Sequence, residues 1–155
     1  MKFNPTPLQE LSHSIFDCAN VQVHVKRYDL IHSFVSGNKL FKLKYHLKRA
    51  LKQGAKTLVT FGGAYSNHLH ATAFAAREAG VDCVGVIRGQ QILPLNHTLK
   101  DCVHQGMTLE PVTRLDYQDK DSSLVIQNVL KRYEKPYLIP EGGGGELGVL
   151  GAQDM

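Results

Sequence analysis

The chain has 155 residues, a length that bounds it at roughly one domain with room for a sizeable core. Hydrophobic residues make up 43% and charged residues 21%, which excludes a disordered polyelectrolyte. The formal net charge is only +4 and the basic residues concentrate in residues 39–52. A general nucleic-acid surface is therefore not indicated, and an anionic ligand or a solvated helix face explains the basic segment equally well.

The cysteines, Cys18, Cys83 and Cys102, are scattered and show no C-x-x-C pair or ligand spacing. Residues 1–20 lack a charged-then-apolar signal pattern, and no apolar run approaches membrane-spanning length. The expectation is a reducing, cytoplasmic setting with no membrane partner.

Residues 21–28 alternate Val21, Val23 and Val25 with Gln22, His24 and Lys26, predicting a strand with one face covered. Ser36-Gly37-Asn38 predicts a turn. A helix follows over 39–53, with Leu40, Leu43, Leu47, Ala50 and Leu51 on one face and Gly54 beyond its end. Residues 56–61 predict a buried strand that breaks at Gly62-Gly63, then a helix over 66–79 stopped by Gly80. Strands follow at 82–87, 107–112 and 136–139, and helices at 96–105 and 122–133. The segment 142–145 is four glycines, too short for a linker, and 146–155 starts a helical pattern without a cap. Alternating strands and helices with short connections predict an α/β architecture with a mostly parallel sheet flanked by helices. Such a sheet normally continues past a helix, so the chain is expected to end early relative to its fold.

Three segments could carry chemistry. Lys39 falls at the start of its helix, roughly 70° from the centre of the leucine stripe at about 100° per residue, and Lys42 lies on the same side. A lysine at the rim of a core is partly desolvated, and burial and a neighbouring cation both lower its pKa from about 10.4. A free amine is the nucleophile that condenses with an aldehyde cofactor. Spacing alone leaves a solvated basic helix open, and Lys44, Lys48, Arg49 and Lys52 fit that description.

Residues 61–68 run from a buried strand through glycines into a helix N-terminus. Ligands bind at the carboxyl ends of parallel strands, and a helix start offers unpaired N–H groups to a carboxylate or phosphate. Ser66 serves equally as a plain helix cap. The third segment is 141–145, where glycine allows close backbone approach or forms a simple turn. His68 and His70 are two apart on a helix, point to nearly opposite sides, and have no further ligand nearby, so no metal site is expected.

The motif pair G-N-K-x-x-K-L (Gly37, Asn38, Lys39, Lys42, Leu43) and G-x-x-S-N-H (Gly63, Ser66, Asn67, His68) resembles the 1-aminocyclopropane-1-carboxylate deaminase / D-cysteine desulfhydrase family. These are pyridoxal 5′-phosphate (PLP) enzymes of the tryptophan-synthase-β-like fold, fold type II. Pro140-Glu141-Gly142-Gly143, Leu147-Gly148 and Leu150-Gly151 also resemble that family's P-x-G-G-x-x-x-L-G-x-L-G segment. The resemblance implies that Lys39 carries PLP and moves protons, and that Lys42 lies near the cofactor phosphate. It implies that Ser66 is the nucleophile or proton-transfer partner and that Asn67 contacts the phenolic oxygen of PLP. It further implies that the N–H groups of Ser66, Asn67 and His68 receive the carboxylate of a small amino-acid substrate.

Family members are about twice this long, and no later G-S-G-G-T-like phosphate loop is present. Residues 1–155 are therefore expected to form a single α/β unit, the N-terminal segment plus small domain, with the C-terminal half of the family's large domain absent. Three functional readings stand: a PLP-dependent lyase or deaminase, an inactive truncated fragment of one, or a non-catalytic anion-binding α/β module. His68 resembles the desulfhydrase branch more than the deaminase branch. The implied protein partner is a second copy in a homodimer or a complementing C-terminal chain.

Overall fold

The computed structural model describes residues 4–120 and 123–155. Strands β1 (Leu8–Leu11) and β2 (Val23–Lys26) pair antiparallel, with helix α1 (Ser14–Cys18) between them. A helix α2 (Asn38–Lys52) follows a short 3-10 turn at Tyr28–Leu30. Strand β3 (Thr57–Gly62), helix α3 (Asn67–Ala79), strand β4 (Asp82–Arg88), helix α4 (His97–His104) and strand β5 (Met107–Val112) come next. Helices α5 (Arg114–Gln118) and α6 (Leu124–Lys131), strand β6 (Pro136–Ile139), a 3-10 turn at Glu141–Gly143 and helix α7 (Gly145–Ala152) complete the chain.

Strands β3 to β6 form one parallel sheet in the order β5-β4-β3-β6. All six residues of β3 are buried, as an interior strand covered on both faces requires. Side chains alternate across it, because successive residues of a strand point to opposite faces. Leu58 joins a core with Leu43, Leu69, Ile87 and Leu99 on the face covered by α2, α3 and α4. Val59 and Phe61 join Val84, Val112, Tyr117 and Ile126 on the face covered by α5 and α6. The α/β parallel architecture is as the alternation predicts.

The departures are local. Residues 21–28 do not have a covered face: β2 is exposed along nearly its whole length, and so is β1, which pairs with it and which no sequence pattern singles out. No layer packs on this hairpin among the described residues, so Val25 and Leu8 stay exposed. On α2, Leu43 and Ala50 are buried and Leu40 and Leu47 pack against the core, but Leu51 is 49% exposed. His46 takes the remaining buried place on that stripe. Helix α5 is not among the sequence expectations, since five residues give too little periodicity to detect. The expected start of the following helix at 122 lies outside the described residues. No helix among the described residues is long and apolar enough to cross a membrane.

Helix α7 packs on α2 and approaches its backbone closely at Gly151. A Cβ at Gly148 would collide with the Gly143 carbonyl, and one at Gly151 with the Phe41 carbonyl. The Gly143 carbonyl belongs to the turn that leads into α7, and the Phe41 carbonyl to α2, so a side chain at Gly151 lifts α7 off α2. Gly151→Ala should therefore cost about 2 kcal/mol of stability, in the usual range for overpacking. Gly54, just past α2 with open space at its Cβ, should cost only about 1 kcal/mol when changed to Ala, for its positive φ alone. Urea denaturation of the two variants measures the difference, and equal losses would contradict the close-crossing account.

Candidate active site

The site grows from the carboxyl ends of β3 and β6. After Ile139 the chain turns through Glu141–Gly143 and lays its glycines against the first turns of α2. Lys39 Nζ donates to the Gly142 carbonyl at 3.3 Å. Partial burial pushes the Lys39 amine below its ordinary value of 10.5, and the Lys42 cation pushes the same way. Gly143 has φ +70°, and a Cβ there would meet Lys42 Cβ at 3.2 Å and the His68 ring at 3.4 Å. Lys39, Lys42, His68 and the glycine run are thus brought together around one point.

Ser66 caps α3: its Oγ accepts from the Leu69 N–H at 3.3 Å. The Ser66 N–H is not free, because it donates to the Gly63 carbonyl at 3.0 Å in the turn that starts the helix. The N–H groups of Asn67 and His68 have no acceptor among the described residues, so the open end of α3 consists of those two donors. The α3 start is held down on β3 by Gly62, where a Cβ would come within 2.8 Å of Ser66 Oγ and 2.7 Å of Leu69 Cγ. The Asn67 side chain is exposed. Among the described residues no hydrogen bond joins Lys39 or Lys42 to Ser66 or Asn67; the two motifs meet through Gly143 and His68.

Two buried histidines support the glycine run. The Thr60 hydroxyl donates to the Ile139 carbonyl at 2.9 Å, so its 2.8 Å contact with His68 Nε2 must be one it accepts. His68 is therefore the Nε2–H tautomer, and its Nδ1 is a bare acceptor with no partner although fully buried. Burial first, then the charges of Lys39, His46 and Lys42, hold its pKa down to about 3, so the ring is neutral. His46 donates from Nε2 to the Gly144 carbonyl at 3.0 Å, and burial likewise lowers its pKa. His70 points away, toward the Phe34 carbonyl and Asp101.

Sequence reasoning misses His46, Thr60 and the donor role of Lys39 toward Gly142. Only His46 leaves a signal, its register with Leu43 and Ala50 on α2. A threonine in a strand is ordinary and marks nothing.

The residues present suit an aldehyde cofactor bearing a phosphate. They offer one amine with a lowered pKa and a second lysine cation beside it. Nearby, two free N–H groups at a helix start suit a carboxylate.

No family model matches the chain. It is 37% identical over 97% of its length to a Thermotoga maritima protein described as a candidate 1-aminocyclopropane-1-carboxylate deaminase, of which it covers 48%. It is 33% identical over 95% of its length to D-cysteine desulfhydrase of Salmonella newport, of which it covers 46%. A crystal structure of a 1-aminocyclopropane-1-carboxylate deaminase homologue superposes with TM-score 0.73 at 33% identity, over 94% of this chain and 45% of that one. A fungal L-serine ammonia-lyase of Rhizomucor miehei shares the fold at TM-score 0.66 and 14% identity, over 97% of this chain and 44% of that one. The chain spans about half the length of the curated relatives it matches.

The neutral His68 carries a consequence for pH. An unfolded histidine titrates near 6.5, while the folded one titrates near 3. Between those values the unfolded state binds a proton that the folded state refuses, so stability is present above pH 6.5 and lost as pH falls toward 3. Going from pH 7.5 to 5 should remove about 2 kcal/mol on account of His68, and His46 adds loss in the same direction. Urea denaturation at the two pH values, with His68→Gln as the non-titrating reference, measures it. A native chain as stable at pH 5 as at 7.5 would contradict the buried neutral ring.

Proposed function

We propose that this chain, a relative of the 1-aminocyclopropane-1-carboxylate deaminase / D-cysteine desulfhydrase family, carries the PLP-anchoring and substrate-carboxylate portion of a PLP-dependent lyase or deaminase for a small amino acid. The observation that carries the reading is Lys39: a half-buried amine, lowered in pKa, fastened to the Gly142 carbonyl beside a second lysine. Bound PLP supplies an electron sink for bonds breaking at the α-carbon of an amino acid.

The chain's own residues would do the following. Lys39 Nζ, released from Gly142, is the nucleophilic amine and later holds and returns a proton. Lys42 places a positive charge for the cofactor phosphate. The free N–H groups of Asn67 and His68 hold the substrate carboxylate at the α3 start, an interaction worth about 0.3–1 kcal/mol from the helix dipole. The Ser66 hydroxyl keeps its hydrogen available, because the cap bond uses only its oxygen, so it can pass a proton at the substrate. Asn67, exposed at the helix end, is free to meet the phenolic oxygen of PLP. His68 places the desulfhydrase branch, and D-cysteine as substrate, slightly ahead of 1-aminocyclopropane-1-carboxylate.

A second reading is favoured by one fact: the chain spans about half the length of its curated relatives. It would then be a cofactor-side half that turns over substrate only with a complementing chain or as part of a longer assembly.

Borohydride reduction after incubation with PLP, followed by peptide mass mapping, tests the anchor. The expected result is an adduct on Lys39, lost in Lys39→Ala and kept in Ser66→Ala. Adducts spread over Lys44, Lys48 and Lys52, or none at all, would sink the proposal. Assay of the same sample with D-cysteine separates the two readings: turnover by the chain alone supports the enzyme, and an adduct without turnover supports the half-site.

A further inference from the structure

We propose that the cavity between Arg88, Arg114 and Lys120 binds the phosphate group of a small phosphate monoester, at a place distinct from the Lys39 site. The inference does not depend on the PLP reading.

The cavity lies at the carboxyl edge of the sheet, where ligands of parallel α/β folds bind. Arg88 ends β4, Arg114 begins α5, and Lys120 follows α5. The cavity is a cleft open to solvent with a volume of about 500 Å³, within the range of small-molecule sites. A second cavity of about 430 Å³ opens on the other side of the same two arginines and is lined by Gln90, Gln91 and Thr113. Arg88 and Arg114 therefore stand between two openings, with neutral hydrogen-bonding groups around them.

The charges in the wall are not balanced. Glu141 is met by Lys120 at 3.5 Å and accepts from the Tyr117 hydroxyl at 2.7 Å. The Asp116 carboxylate accepts from the Thr113 hydroxyl at 2.6 Å and the Ser123 hydroxyl at 3.2 Å. Arg88 and Arg114 have no ion-pair partner among the described residues. Two guanidiniums that line one cavity, neither paired with a carboxylate, suit a doubly charged oxyanion, because each fork can donate two parallel hydrogen bonds.

The wall is also fixed. Tyr117 is 3% exposed, and its ring holds the Arg88 guanidinium at 5.7 Å and Lys120 Nζ at 5.3 Å. The Arg88 guanidinium also lies over Gly63, where a Cβ would stand 3.4 Å from its Nη2. Gly63 leads to the α3 start, and Glu141 leads to Gly142, the acceptor for Lys39. The cationic cavity is thus neighbour to the Lys39 site along the chain, yet none of its lining residues is Lys39, Lys42, His68 or a glycine of 142–145.

Isothermal titration with glycerol 3-phosphate and with inorganic phosphate, at low ionic strength, tests the proposal. The native chain should bind the ester saturably and more tightly than inorganic phosphate. The Arg88→Gln/Arg114→Gln double variant should lose at least about tenfold in affinity, as removal of charge-assisted hydrogen bonds does. Arg114→Lys, which keeps the charge and loses the fork, should fall between. Lys39→Ala/Lys42→Gln should change ester affinity less than about twofold, since neither lysine lines the cavity. Both arginines are exposed, and circular dichroism checks that the variants remain folded. Unchanged affinity in the folded arginine variant, loss that follows the lysine variant instead, or inorganic phosphate binding as tightly as the ester would each overturn it.

Discussion

Helix α7 meets the backbone of α2 at Gly151, over the Phe41 carbonyl, and meets the turn that precedes it at Gly148, over the Gly143 carbonyl. That crossing pins the glycine run between them, and the run in turn fixes what surrounds Lys39. Gly142 presents its carbonyl to the Lys39 amine, Gly143 makes room for Lys42 and the His68 ring, and Gly144 takes the hydrogen bond of His46. A side chain at 143 or 148 would move α7, and with it the acceptor that holds the amine. Of the two options the glycine run leaves open in the sequence, close backbone approach or a simple turn, the structure shows the close approach.

Charge is distributed so that the site attracts anions without burying an unpaired ion. The two histidines beside the lysines are held neutral by burial, which removes the cost of two further positive charges in a poorly solvated place. What remains positive is Lys39, Lys42 and the open N-terminus of α3. The helix end contributes about 0.3–1 kcal/mol in the usual exposed case, so it orients a carboxylate as well as attracting one. The bare Nδ1 of His68 is the one buried polar side-chain atom without a partner among the described residues. It lies within the electrostatic reach of Lys39 and Lys42, whose charges help to keep the ring neutral.

Much of this is legible in the sequence because period and punctuation agree. The buried runs of β3 and β4, the leucine stripe of α2, and the glycines past α2 and α3 place these elements close to where they lie. The hairpin is misjudged because alternation reports a strand and not what covers it; β2 has the pattern of a half-buried strand and stays exposed. Leu51 sits on the α2 stripe but one residue from the helix end, where no layer reaches it. At the site, lysine spacing and the strand-to-helix turn point to two segments that do converge. The engaged Ser66 N–H, the Thr60–His68 bond and the Gly142 acceptor depend on contacts between residues far apart in the chain or on turn geometry. No local pattern encodes those.

The site turns on Lys39 being a partly desolvated amine beside the Lys42 cation. Its direct measurement is the pH dependence of labelling of individual lysines by an amine-specific reagent, read by peptide mass. Lys39 should titrate below the ordinary lysine value of 10.5, and in Lys42→Gln it should move back up part of the way, since burial is the larger cause. A Lys39 that titrates at the ordinary value, and does not respond to Lys42→Gln, would contradict the account.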